Sequence, residues 1–165
     1  MLKEFFVYSV VILCFSVLYA QEGYFFSLEE ALQKPDSVRS LTLKKKKLKE
    51  FPKEILQFKN IERLDLSRNS IKEIPKEIQS LKKLHYVNFA QNYLTTLPTE
   101  MADLPLDTLI LWDNQIKAFD TVFQNTDLKL LDIRAISMTR KQQKAIKQIF
   151  PNTKIKKDHA CNCGS

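Results

Sequence analysis

A pattern of spaced apolar residues recurs every 22 or 23 residues through the middle of this chain. The clearest copy, residues 61–83, reads I-x-x-L-x-L-x-x-N-x-I-x-x-I-P-x-x-I-x-x-L. The same offsets are occupied in residues 38–60, 84–105 and 106–127 and, in degenerate form, from 128 onward. A unit this short cannot bury an apolar face by itself, so the recurrence predicts a solenoid of stacked units.

Each part of the repeat predicts a particular local structure. The alternation about Leu64 and Leu66 favours a short strand with one buried face. The asparagine that follows can donate and accept, so it can satisfy backbone groups of neighbouring turns. It is present as Asn69, Asn92 and Asn114 and is replaced by Lys46 in the first copy and Ile136 in the last. A proline further on (Pro52, Pro75, Pro98) can open a helical turn on the return arm.

These repeats resemble the leucine-rich repeat family over roughly Val38 to Phe150. The resemblance implies an α/β solenoid: a horseshoe of about five repeats within residues 38–138. Short parallel strands would line its concave face, and short helices or turns its convex face. It also implies that a protein partner is held on the concave face, by the variable positions of the strands.

The first twenty residues predict export. Phe5 to Tyr19 is apolar with few interruptions, about fifteen residues, which is short for a bilayer span of roughly 20. An early lysine and the ending L-Y-A before Gln21 are typical of a cleaved secretory signal. We expect cleavage after Ala20. Two alternatives stay open: an uncleaved anchor, and a lipoprotein acylated on Cys14. The destination (periplasm, cell surface or medium) also stays open.

Residues 21–37 are predicted to cover the first repeat, because terminal repeats of a solenoid expose an apolar end. Ser27 followed by Glu30 predicts a capping box, which opens a short helix from Leu28 to about Gln33. Apolar side chains suited to covering the first repeat are Phe25, Phe26, Leu28 and Leu32.

Residues 139–157 are the predicted cover at the other end. Thr139 with Gln142 predicts a second capping box, and the helix that follows has Ala145, Ile146 and Ile149 as its apolar stripe. One last edge strand is expected at 153–155. Residues 158–165 then form a predicted flexible tail, in which Cys161 or Cys163 is the site of an alternative disulfide-linked dimer; we otherwise expect a monomer.

The repeat register predicts which side chains lie on the concave face. Three parallel rows are expected, from the third, fifth and seventh positions of each repeat. Four large side chains fall close together in them: Tyr86, Ile110, Trp112 and Leu130. Apolar clusters on a solvated face commonly mark interaction sites, and Trp, Tyr and Arg are enriched at binding hot spots. The predicted polar rim is Arg63, Asp65, Asn88, Asp132 and Arg134.

Positive charge supports a different class of function. The formal net charge is +7, and the densest basic run is Lys44 to Lys47, joined by Lys49. Charge-driven adhesion to an anionic glycan or membrane surface is therefore the alternative to a protein partner. A structural envelope protein is a third hypothesis. No nucleic acid is expected, since no nucleic-acid motif appears and no aromatic residue interleaves with those lysines.

Catalysis has little support in the sequence. It contains two histidines, His85 and His159, and no G-x-S-x-G, H-E-x-x-H, P-loop or dinucleotide motif. His159, Cys161 and Cys163 offer too few metal ligands at too close a spacing for a structural zinc site. We therefore predict no enzyme activity, no metal, no cofactor and no small-molecule substrate.

Overall fold

One parallel sheet runs the length of the computed structural model, which describes residues 23–158. Its strands are β1 (Tyr24–Phe25), β2 (Ser40–Thr42), β3 (Arg63–Asp65), β4 (Tyr86–Asn88), β5 (Thr108–Ile110), β6 (Leu130–Asp132) and β7 (Lys154–Lys156). They are hydrogen-bonded in chain order. The sheet does not close, and the arrangement is the predicted leucine-rich-repeat horseshoe, with β2 to β6 contributed by the five repeats.

The middle residue of each repeat strand points into the core. In β2 to β6 these residues are Leu41, Leu64, Val87, Leu109 and Leu131, each at most 1% exposed. They lie directly opposite one another in the ladder, so each repeat packs the same apolar position against its neighbour. The residues on either side of the middle one face outward, as the period of two requires.

The return arm of each of the first four repeats contains a short 3₁₀ helix. These helices are Lys53–Gln57, Lys76–Ser80, Thr99–Asp103 and Thr121–Asn125. In the first three, a proline with extended backbone precedes the helix as its N-cap. In the fourth, Asp120 replaces the proline, and its carboxylate accepts a hydrogen bond from the Val122 N–H at 2.9 Å. One apolar side chain per helix is buried: Ile55, Ile78, Met101 and Phe123.

The buried asparagines tie consecutive repeats together, as predicted. Asn92 is 5% exposed, and its Nδ2 donates to the carbonyls of Leu66 and Phe89 at 3.0 Å each. Its Oδ1 accepts from the Ile71 N–H at 3.0 Å. Asn69 and Asn114 make equivalent bonds. The side chain thus satisfies buried backbone groups that lie outside the short ladder.

The N-terminal end differs from the sequence expectation in three ways. A strand, β1, pairs with β2 where none was predicted. Helix α1 (Leu28–Gln33) has Ser27 as its N-cap, and the Ser27 hydroxyl accepts from the Glu30 N–H and donates to Glu29, but the reciprocal arm of the capping box, from the Ser27 N–H to the Glu30 carboxylate, is not formed. Phe25 is buried, as expected, whereas Phe26 is 55% exposed.

Gly23 fixes the start of this end of the sheet. Its φ is +81°, and a Cβ there would lie 2.6 Å from the Ser37 carbonyl oxygen, so only glycine fits. The Gly23 carbonyl accepts from the N–H groups of Arg39 and Ser40, each at 2.9 Å. This glycine therefore positions β1 against the first repeat.

The C-terminal end follows the sequence more closely. Helix α2 (Arg140–Ile149) begins with the predicted capping box of Thr139 and Gln142, both arms of which are formed. Ile146 and Ile149 are buried, but Ala145, which was assigned to the same apolar stripe, is exposed. Phe150 packs edge-to-face on Phe119, with ring centroids 5.5 Å apart. These contacts join the helix to the last repeats.

Candidate functional site

The ladder register confirms that the predicted positions form rows across the sheet. The third positions lie side by side in the order Ser40, Arg63, Tyr86, Thr108, Leu130. The fifth positions do so in the order Thr42, Asp65, Asn88, Ile110, Asp132. Beyond the strands, backbone bonds such as Gln91 N–H to the Trp112 carbonyl and Asp113 N–H to the Arg134 carbonyl align the seventh positions as well.

The four large side chains of the predicted cluster all lie on this face and are partly exposed: Tyr86, Ile110, Trp112 and Leu130. Leu130 is one strand from Thr108 and two from Tyr86. Ile110 and Trp112 are two residues apart in the same repeat, so their side chains face the same side of the sheet. Neighbouring parallel strands are about 4.8 Å apart, so one partner surface can contact all four. We call them the concave cluster.

Two of the predicted rim residues, Asp65 and Asn88, stabilise turns in their own repeats. The Asp65 carboxylate accepts from the Ser67 N–H at 2.8 Å, and Asn88 accepts from the Ala90 N–H at 3.1 Å. Each side chain thereby closes an Asx turn at the end of its strand. Asn88 also donates to Asp65 at 3.1 Å, which joins the two turns. The sequence contains a signal for these turns, since three of the five fifth positions are Asp or Asn.

Asp132 does not belong to an exposed rim, and that part of the prediction is wrong. It is 3% exposed, because the Arg134 side chain lies across it. Arg134 donates from Nε to Oδ1 at 2.9 Å and from a terminal nitrogen to Oδ2 at 2.7 Å. The hydrogen bonds to Asp132 and its charge raise the pKa of Arg134. A partner would therefore meet Arg134, which is exposed, rather than the carboxylate beneath it.

Ile110 breaks the Asx pattern at the centre of the concave cluster. In the repeats before and after, the fifth position caps an N–H two residues on. Ile110 has no polar group to do this, so among the described residues the Trp112 N–H receives no such cap. The fourth repeat thus replaces a structural polar residue with an apolar one. Sequence reasoning identified Ile110 by its hydrophobicity but missed this substitution.

Arg63 and Tyr86 form the polar side of the same face. The Arg63 guanidinium lies over the Tyr86 ring in cation–π geometry. Burial raises the pKa of Tyr86, the nearby Asp65 carboxylate raises it further, and Arg63 acts in the opposite direction. Tyr86 is therefore a neutral hydrogen-bond donor at physiological pH, with one ring face already occupied by a cation.

Other predicted features lie elsewhere or outside the described residues. Lys44 to Lys47 are all exposed, in the turn after β2. Within residues 23–158, no group of three His, Cys, Asp or Glu side chains could hold a metal ion. No helix in that range is long and apolar enough to cross a bilayer. The proposed cleavage after Ala20, the Cys14 acylation site and the tail residues His159, Cys161 and Cys163 all fall outside it.

Comparisons with known proteins agree with the fold. The sequence profile described as Leucine rich repeat matches residues 36–94, about a third of the chain. No curated protein sequence matches this chain. A leucine-rich-repeat protein of Leptospira interrogans has a similar structure, with a TM-score of 0.66 at 24% identity over 80% of this chain and 34% of that one.

Two other solved structures illustrate the range of the likeness. Internalin C2 of Listeria monocytogenes gives a TM-score of 0.64 at 17% identity, over 80% of this chain and 56% of its own. The third is the ectodomain of the Arabidopsis thaliana receptor kinase GASSHO1/SCHENGEN3, solved in complex with Casparian strip integrity factor 2. Its TM-score is 0.59 at 22% identity, over 70% of this chain and 15% of that one. The chain spans less than two thirds of each. Its repeats, its sheet and these similarities show that the chain has the leucine-rich-repeat fold, and the part from residue 36 to 94 matches the family profile itself.

Proposed function

We propose that this chain is an exported protein-binding module that holds a protein partner on its concave face. Leucine-rich repeats are protein–protein interaction modules, and the plant receptor ectodomain with the same fold was solved in complex with Casparian strip integrity factor 2. Host interaction is included among the roles we propose for such a module. Cleavage after Ala20 is the proposed route of export.

The observation that carries the proposal is the concave cluster. Tyr86, Ile110, Trp112 and Leu130 stand partly exposed on the sheet, whereas the middle residue of each repeat strand is buried. Exposed large apolar side chains grouped on one face mark interaction surfaces. Arg63 and Arg134 stand beside the cluster, and arginine is, with tryptophan and tyrosine, the type enriched at hot spots. Trp112 and Tyr86 are the proposed anchors.

Affinity capture from host and envelope extracts tests the proposal. The bait is the full chain, compared with a Trp112→Ala/Tyr86→Ala variant at low and high salt. Tyr93→Ala is the matched control, because Tyr93 is 50% exposed but lies outside the three concave rows. We expect a partner that is lost in the double variant, kept by the control and retained at high salt.

The same comparison separates the alternative function. Adhesion through Lys44 to Lys47 and Lys49 to an anionic glycan or membrane would weaken steeply with ionic strength, because such binding depends on exposed charges. A ligand released by salt and indifferent to the double variant would contradict the concave-face proposal. A ligand retained equally by every variant at both salt concentrations would contradict both.

A further inference from the structure

The last strand has backbone groups that no other described residue bonds. In the ladder between β6 and β7, the Lys154 N–H donates to the Lys129 carbonyl at 2.9 Å. The Lys156 carbonyl accepts from the Ile133 N–H at 2.8 Å. Because successive residues of a strand direct their backbone groups to opposite edges, the N–H and C=O of Ile155 point away from β6. Such an edge is a template for one more strand.

A cavity of about 250 Å³ opens beside this edge, between α2 and the last two strands. Its apolar wall contains Ile133, Ile146, Phe150 and Ile155. Ile155 continues the row of inward-facing residues that Leu131 occupies in β6. A strand added beside β7 would therefore direct its own inward side chain over this cavity. The site combines an open backbone edge with a space for one apolar side chain, which is how strand-addition sites achieve specificity.

The charges around the edge select the kind of strand. Lys154 and Lys156 stand exposed on the concave side, and Lys147 and Lys157 line the cavity. Two carboxylates lie nearby: Asp158 accepts from the Ala135 N–H, and Asp132, which lies opposite Lys156 in the ladder, is covered by Arg134. Lysines at an edge discourage pairing with another lysine-bearing strand, while opposite charges in facing positions attract. The edge therefore disfavours pairing with β7 of a second copy of the chain, which carries the same lysines, and favours a strand that carries carboxylates.

We propose that β7 docks an extended acidic segment of a protein partner, which adds one strand to the sheet. An apolar residue of that segment fills the cavity next to Ile155. Acidic residues on either side of it lie beside Lys154 and Lys156. The segment has the pattern acidic–apolar–acidic. This site does not depend on the concave cluster, and a partner that uses one need not use the other.

The test titrates the full chain with a fluorescein-labelled peptide, Gly-Glu-Ile-Glu-Ile-Glu-Gly, and with its analogue carrying lysine at each glutamate. The variant is Lys154→Glu/Lys156→Glu. Its control, Lys53→Glu/Lys76→Glu, makes the same change in net charge at exposed positions on the convex side. We expect the acidic peptide to bind the edge variant about tenfold more weakly than the wild type. The control should behave as the wild type, and the lysine peptide should prefer the edge variant.

Hydrogen exchange at the Ile155 amide locates the bound strand. Exchange should slow when the acidic peptide is added and stay unchanged with the lysine peptide. Equal weakening in both variants would reduce the effect to net charge and overturn the proposal, as would absence of binding or an unprotected Ile155 amide in the complex. An oligomer that protects Ile155 without peptide would assign the edge to a second copy of the chain, which also overturns it.

Discussion

The guanidinium carbon of Arg63 lies 3.8 Å from the centre of the Tyr86 ring, directly across the ladder between β3 and β4. The pair occupies neighbouring positions of one concave row, so the cation covers one ring face. Asp65, two residues from Arg63, is the anion that acts on the same phenol. Beyond the effect of burial, the pKa of Tyr86 is thus raised by Asp65 and lowered by Arg63, on a face that we assign to partner binding.

Two substitutions should move the pKa of Tyr86 in opposite directions. Asp65→Asn removes the anion that raises it, so the pKa should fall. Arg63→Gln removes the cation that lowers it, so the pKa should rise. Phenolate absorbance followed against pH measures both, with Tyr86→Phe identifying which of the five tyrosines contributes the step. Equal pKa values in the two variants would contradict the assignment of these neighbours.

The raised pKa of Tyr86 also makes stability depend on pH. The folded chain holds this proton more tightly than the unfolded chain does, so the contribution is fully present below the ordinary tyrosine pKa of about 10. It is lost as pH rises through the higher pKa of the folded state. Urea unfolding at several alkaline pH values should therefore show a steeper loss in the wild type than in Tyr86→Phe.

Asn92→Leu should lower the free energy of unfolding by about 3 kcal/mol or more, because it leaves several buried backbone groups without partners. The groups affected are the Leu66 and Phe89 carbonyls and the Ile71 N–H. Denaturant unfolding followed by circular dichroism measures the loss. Asn125→Ala, at an exposed position, is the control and should stay within about 0.5 kcal/mol of the wild type. Similar values for the two variants would mean that the asparagine ladder is not stabilising.

Substitution of alanine by glycine should raise the stability of the fold at Ala135 and lower it at Ala145. Ala135 has a φ of +54°, a conformation that disfavours a side chain, so Ala135→Gly should stabilise the fold by about 0.5 kcal/mol or more. Ala145 is exposed within α2, where glycine costs about 1 kcal/mol. Thermal unfolding of the two single variants decides the matter. A lower melting temperature for Ala135→Gly would show that this backbone conformation is not strained.

The repeat period predicted most of the fold because it specifies direction. Once Leu64 and Leu66 face inward, Arg63 and Asp65 must face outward, and the recurrence aligns them with the next repeat. That logic placed Tyr86, Ile110 and Trp112 on one face. It did not reach β1, because Tyr24 and Phe25 precede the first repeat and have no counterpart in the pattern.

The repeat period does not determine how far a side chain bends or what covers it. Asp132 occupies an outward position, yet Arg134 folds back over it and buries its carboxylate. Phe26 looks apolar enough to cover the first repeat, but the extended backbone of β1 turns its neighbour Phe25 inward instead. Both errors arose from contacts that depend on three-dimensional neighbours rather than on spacing.

The measurement that tests the central claim most directly is acrylamide quenching of the fluorescence of Trp112, the single tryptophan of the chain. It uses the full chain without substitution, before and after addition of a protein partner recovered by the affinity capture. The account predicts that the partly exposed indole is quenched in the free protein, and that the bound partner shields it and shifts its emission to shorter wavelength. A partner that binds with unchanged quenching and emission would show that Trp112 is not part of the binding site.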